Sequence, residues 1–127
     1  MNKDLEDKLK QDFPLAFRDK RMYFATGDGW EPLIRECASK IESILQNRSQ
    51  EELDEGFGIT VQVKEKFGTL RFYCHGYDEE ILKAIREAED KSEITCERCG
   101  NPGTLRPGGW LKTLCDGCNE IRYKLNE

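Results

Sequence analysis

The sequence predicts an α+β protein: helices packed on an antiparallel β-hairpin, followed by a C-terminal treble-clef-like zinc module. Three observations carry that prediction. Apolar residues recur at three- and four-residue intervals through 33–45 and again through 81–88, the period of a helix with one buried face. Between those stretches, residues 57–64 and 69–75 alternate apolar with polar, as half-buried strands do. Near the C-terminus, Cys96, Cys99, Cys115 and Cys118 form two Cys-x-x-Cys pairs with fifteen residues, Gly100 to Leu114, between them. That is ligand spacing for one structural zinc ion.

The first segment, Asn2 to Phe13, reads as a short helix with Leu5 and Leu9 on one side, ended by Pro14. Phe17, Arg18, Arg21, Tyr23 and Phe24 then crowd together ahead of the turn-forming Gly27-Asp28-Gly29-Trp30. Asp28 and Glu31 have the spacing of a capping box, so the turn is expected to start the next helix, with Pro32 in its first turn. Leu33, Ile34, Cys37, Ala38, Ile41, Ile44 and Leu45 make its apolar stripe, and Glu51 to Glu55 follows as an acidic linker.

In the hairpin, Gly68 occupies the turn. Strict alternation puts Ile59, Val61, Val63, Leu70, Phe72 and Cys74 on one face, and Thr60, Gln62, Lys64, Lys66, Arg71, Tyr73 and His75 on the other. The apolar face requires a helix over it. Residues 78–91 supply one, with Asp78 as cap, Glu79 and Glu80 in the first turn and Ile81, Leu82, Ile85 and Ala88 inward.

The domain division expected is an α+β core over residues 1–92 and a four-cysteine module over 93–127. Within the module, Gly109 to Leu114 reads as a strand returning to Cys115, and Cys118 to Leu125 as a helix. A knuckle, a hairpin and a helix bearing the second cysteine pair make a treble clef; a zinc ribbon lacking the final helix is the alternative. Two intervening residues let each pair turn both sulfurs toward one ion. Four protein ligands leave no open coordination position, so zinc here is expected to be structural.

Composition narrows the function classes. Of 127 residues, 35% are charged and the net charge is −5, yet six Phe, four Tyr and two Trp supply large apolar groups for a core. An acidic surface disfavours sequence-blind DNA binding by the whole molecule. No apolar run approaches the roughly 20 residues of a membrane span, and Met1 to Asp12 is charged where a signal peptide carries an apolar core. A cytoplasmic protein with no membrane partner is expected, its cysteines reduced and metal-bound rather than paired as disulfides.

The turn Gly27-Asp28-Gly29-Trp30, the run Val63-Lys64-Glu65-Lys66-Phe67-Gly68-Thr69-Leu70-Arg71-Phe72-Tyr73 and the Cys96-to-Cys118 module with Gly108-Gly109-Trp110 together resemble a family of small uncharacterised proteins of bacteriophages and prophages. The likeness covers most of residues 27–118. It implies a setting, a bacterial cell under phage control, and no activity. Small accessory proteins of that kind commonly bind a host or defence component, which points to a non-enzymatic regulatory or inhibitory protein whose partner is a protein.

Two surface groups are candidates for partner contact. Lys64, Lys66, Arg71, Tyr73 and His75 form a basic and aromatic hairpin face suited to a phosphate backbone or an acidic partner, so nucleic-acid binding is the alternative function. Arg106 and Trp110, in the zinc spacer, form the second group, with Trp110 either an exposed anchor or a cover for the zinc. His75 has no orienting carboxylate on its face, and Gly27-Asp28-Gly29 lacks the lysine of a phosphate loop. No enzyme signature emerges, and a small-molecule substrate is not expected.

Overall fold

The structure, a computed structural model, describes residues 1–125. Helix α1 (Lys3–Asp12) begins where the Asn2 side chain accepts a hydrogen bond from Leu5 N at 2.9 Å. It is followed by strand β1 (Tyr23–Ala25), a 3-10 turn (Asp28–Trp30) and helix α2 (Glu31–Gln46). A five-residue helix α3 (Gln50–Asp54) leads to the hairpin β2 (Ile59–Lys66) and β3 (Thr69–His75), and helix α4 (Glu79–Ser92) follows. The four-cysteine segment contributes hairpin β4 (Thr104–Arg106) and β5 (Lys112–Leu114), then helix α5 (Asp116–Leu125). No helix among the described residues is long and apolar enough to cross a membrane.

The mixed α+β architecture matches expectation, and four details differ. First, the main sheet has three strands in the order β1-β2-β3, with β1 parallel to β2 and β3 antiparallel to it. Second, Glu51–Glu55 is not a plain linker, because Ser49 and Glu52 close a capping box over α3. Third, Asp28 does not cap α2; its carboxylate accepts from Asn2 N at 2.7 Å and so ties down the start of α1.

The fourth difference lies in β2. A bulge at Val61 shifts the register between Thr60 and Gln62, so one residue of β2 is left without a partner between the pairs Thr60↔Cys74 and Gln62↔Tyr73. The extra residue reverses the phase of the strand's first residues. Thr60 is fully buried, while Ile59 lies opposite the exposed His75 on the outer face. Among the described residues, the Thr60 hydroxyl has no hydrogen-bond partner.

One side of the sheet is covered. Helices α2 and α4 pack on each other, and α4 lies along β3. Trp30, Ile34, Ile41, Leu45, Val63, Leu70 and Ile81 are completely buried, with Phe72 nearly so. Phe17 packs edge-on to Phe24 with ring centroids 5.4 Å apart, which anchors β1 to the same core. Two side chains of α4 also satisfy the free edge of β3: Leu70 N donates to Ser92 Oγ at 3.0 Å and Phe72 N to Glu89 Oε2 at 3.3 Å. A buried carboxylate, Glu42 of α2, accepts from Ala16 N at 2.8 Å and from Leu15 N at 3.1 Å, fixing the turn that brings β1 onto the sheet.

Candidate metal centre and open sheet face

Cys96 and Cys99 lie on a tight knuckle after α4. Gly100 closes it, with φ +84° and its N–H donating to Cys96 O at 2.9 Å. Cys115 directly follows β5, and Cys118 sits in the first turn of α5, where its N–H donates to Cys115 Sγ at 3.4 Å. All four sulfurs fall within 4.8 Å of one another, close enough to hold one metal ion. Cys99 Sγ and Cys115 Sγ are 3.6 Å apart. Tetrahedral zinc with Zn–S bonds of about 2.3 Å requires sulfurs about 3.8 Å apart. The donor set therefore fits that ion in chemistry and in spacing.

The electrostatics around the sulfurs favour a cation. Burial opposes ionisation of Cys96, yet backbone N–H groups of Cys115, Cys99 and Arg98 outweigh it and hold this thiol down to about 7. Cys118 is pushed up to about 12, by burial and by the three neighbouring cysteines. Four thiolates cannot share this space without a positive ion between them.

The turn Gly27-Asp28-Gly29-Trp30 forms the seat on which the knuckle docks. Gly29 N donates to Glu97 O at 2.7 Å, Gly27 N to Glu97 Oε2 at 2.9 Å, and Trp30 Nε1 to Thr95 O at 2.9 Å. A Cβ at Gly29 would lie 2.3 Å from Cys96 O and 2.5 Å from Gly100 N, so only glycine permits this approach. On the opposite flank, Thr113 Oγ1 donates to Gly68 O at 2.7 Å. Lys112 bridges Glu65 (2.6 Å) and the buried Glu97 (3.2 Å), joining β2, β5 and the knuckle. Lys112 thus has structural partners on both sides.

The sheet's other side is open. Reading the registers across it, Tyr23, Gln62 and Tyr73 form one row, Ala25, Lys64 and Arg71 the next, and Lys66 pairs with Thr69 beyond. His75, opposite Ile59, closes the far end. None of these outward positions is acidic. Tyr23 is 52% exposed and Tyr73 41%, while Lys64 Nζ lies 5.7 Å from the Tyr73 ring centroid. Among the described residues, Lys64, Lys66 and Arg71 have no carboxylate within ion-pairing distance.

Lys64, Lys66, Arg71, Tyr73 and His75 therefore share a face, and Tyr23 joins them. No strand signal marks residue 23 in the sequence, because a three-residue strand is too short for alternation to show. Arg106 and Trp110 belong elsewhere. Arg106 is engaged inside the metal module, donating to Leu114 O at 3.1 Å and pairing with Asp116 at 2.7 Å. Trp110, on the loop between β4 and β5, is 68% exposed and so is not buried over the cysteines. Cys37 and Cys74 are core thiols; burial raises both, Cys74 to about 12. The chain matches no family model, no curated protein and no solved structure.

Proposed function

We propose that this chain is a non-catalytic regulatory or inhibitory binding protein: a structural zinc braces it, and the open face of its main sheet contacts another macromolecule. The observation that carries the reading is the row-by-row sorting of that face. Tyr23, Tyr73, Lys64, Lys66 and Arg71 share one face of a three-stranded sheet whose outward positions carry no acidic residue, in a protein of net charge −5. A partner with complementary charge is drawn to that surface, and the rest of the molecule repels it.

The metal reading rests on the all-sulfur donor set, whose softness and spacing suit zinc. A knuckle with the first pair, a hairpin, and a helix with Cys118 in its first turn and Cys115 just ahead of it support reading the module as a treble clef, in which four cysteine ligands make the ion serve folding. The resemblance to phage and prophage proteins adds the expected setting, the cytoplasm of a bacterial host, with a host or phage component as target. Among the described residues, His75 has neither a nucleophile nor a carboxylate contact that would give it a chemical step.

Affinity capture tests the reading. Tagged wild type and a K64E/R71E variant, both carrying one zinc, are used as bait in bacterial lysate with and without nuclease. A partner enriched by wild type and absent from the variant is expected; identical recovery by both would refute the assignment of the face.

A further inference from the structure

We infer that the macromolecule held by the open sheet face is a single-stranded nucleic acid, with bases stacked on Tyr23 and Tyr73 and phosphates at Lys64, Lys66 and Arg71. The inference rests on the binding-protein reading above and names its partner. Charge alone would also suit an acidic polypeptide, but the aromatic pair separates the two. Tyr23 and Tyr73 stand on the outer strands, on either side of Gln62, so their backbone positions are two strand spacings apart, about 10 Å. Bases offer planar faces to such rings, whatever their sequence, whereas an acidic side chain offers nothing to stack. Gln62, whose side chain contacts the Tyr23 hydroxyl, places an amide donor and acceptor between them. The basic residues occupy the adjoining row, where the backbone of a strand laid across the sheet would run. A duplex hides its base faces and would not use the rings.

The hairpin tip gives a separate indication. Phe67 is 65% exposed and adopts φ +55°, a backbone conformation that bulky residues avoid and that Asn or Gly fills in turns of this type. Lys66 Nζ lies 5.5 Å from its ring centroid. A strained, solvent-facing aromatic beside a cation repeats, at the tip, the chemistry of the sheet face. It supplies a third stacking platform next to the basic row.

Fluorescence anisotropy on the zinc-loaded protein tests this, with fluorescein-labelled single-stranded RNA and DNA of about 20 nucleotides and the corresponding duplexes. Three phosphate contacts on a single strand predict a log–log salt slope of about −2, or about 20-fold weaker binding from about 50 to 200 mM salt. Tyr23→Ala and Tyr73→Ala should each weaken binding about tenfold, and K64E/R71E should abolish it. K83E/R86E on exposed positions of α4 changes net charge equally and should have no such effect. Circular dichroism and zinc content confirm that each variant is folded. Absence of single-strand binding at low salt, or duplex binding of equal strength that ignores the tyrosines, overturns the inference. If oligonucleotides fail while lysate capture still yields a nuclease-resistant protein lost in K64E/R71E, the partner is a protein and the binding-protein reading stands. If both fail, both readings fall.

Discussion

Replacing Gly29 with alanine should disrupt the junction between the metal knuckle and the helical core. The new Cβ would lie 2.3 Å from Cys96 O, 2.5 Å from Gly100 N and 2.7 Å from Cys99 N, all backbone atoms that cannot rotate aside. The knuckle must back away, and its movement stretches Gly29 N→Glu97 O and Trp30 Nε1→Thr95 O, now 2.7 and 2.9 Å. Overpacking of this kind costs about 1–3 kcal/mol, and the two weakened hydrogen bonds together add about 1 kcal/mol. The expected loss is therefore about 2–4 kcal/mol. In a domain of this size that lowers the melting temperature by roughly 8–16 °C. The backbone atoms that must move carry Cys96 and Cys99, so zinc affinity should fall too, by at most about a thousandfold if the whole penalty reaches the metal. The assays are thermal unfolding followed by circular dichroism and zinc competition with a chromophoric chelator. Gly109→Ala is the control, because a Cβ there has nothing within 4 Å. A Gly29→Ala protein that melts and binds zinc like wild type would refute the idea that this turn is the knuckle's seat.

Three further outcomes are expected. Thr60→Val removes a buried hydroxyl that has no partner and keeps the shape, so urea unfolding should show a gain of about 1 kcal/mol; a loss would contradict the inward placement of Thr60. Phe67→Asn relieves the φ +55° strain and should raise the melting temperature by about 4 °C, for roughly 1 kcal/mol, while weakening oligonucleotide binding. Zinc affinity should drop as pH falls, because protons compete for the same sulfurs; each displaced proton contributes about tenfold per pH unit. With Cys96 held near 7, one more proton enters the competition below that pH, so the chelator titration should steepen between about pH 8 and pH 6.

The parts of the fold that could be read from sequence are those where a pattern repeats. Seven apolar residues at helical spacing mark α2, alternation marks β3, and two Cys-x-x-Cys pairs mark the cluster whose sulfurs lie within 4.8 Å. Single-residue events were not legible. The bulge at Val61 exchanges the faces of Ile59 and Thr60 without a glycine to announce it, since one extra residue in a strand has no compositional cost. Strand β1 has one buried residue, Phe24, and owes its existence to pairing with β2 rather than to its own sequence. Ser49 and Glu52 have capping-box spacing, but the acidic run 51–55 has no apolar stripe to distinguish a five-residue helix from a linker. Gly27-Asp28-Gly29-Trp30 announced a turn, but the surface it faces lies about seventy residues further along and is set by tertiary docking. Nothing in the sequence links Lys112 to carboxylates 47 and 15 residues away, and only its contacts with Glu65 and Glu97 reveal an internal tie.

The most direct test of a zinc-braced protein that binds through its open sheet face is amide chemical-shift mapping of the zinc-loaded, nitrogen-15-labelled chain during titration with a single-stranded oligonucleotide. The account predicts saturable shifts at Tyr23, Gln62, Lys64, Arg71 and Tyr73, with the amides of Cys96, Cys99 and Gly100 unmoved. Shifts confined to the metal module, or none on β1, β2 and β3, would contradict it.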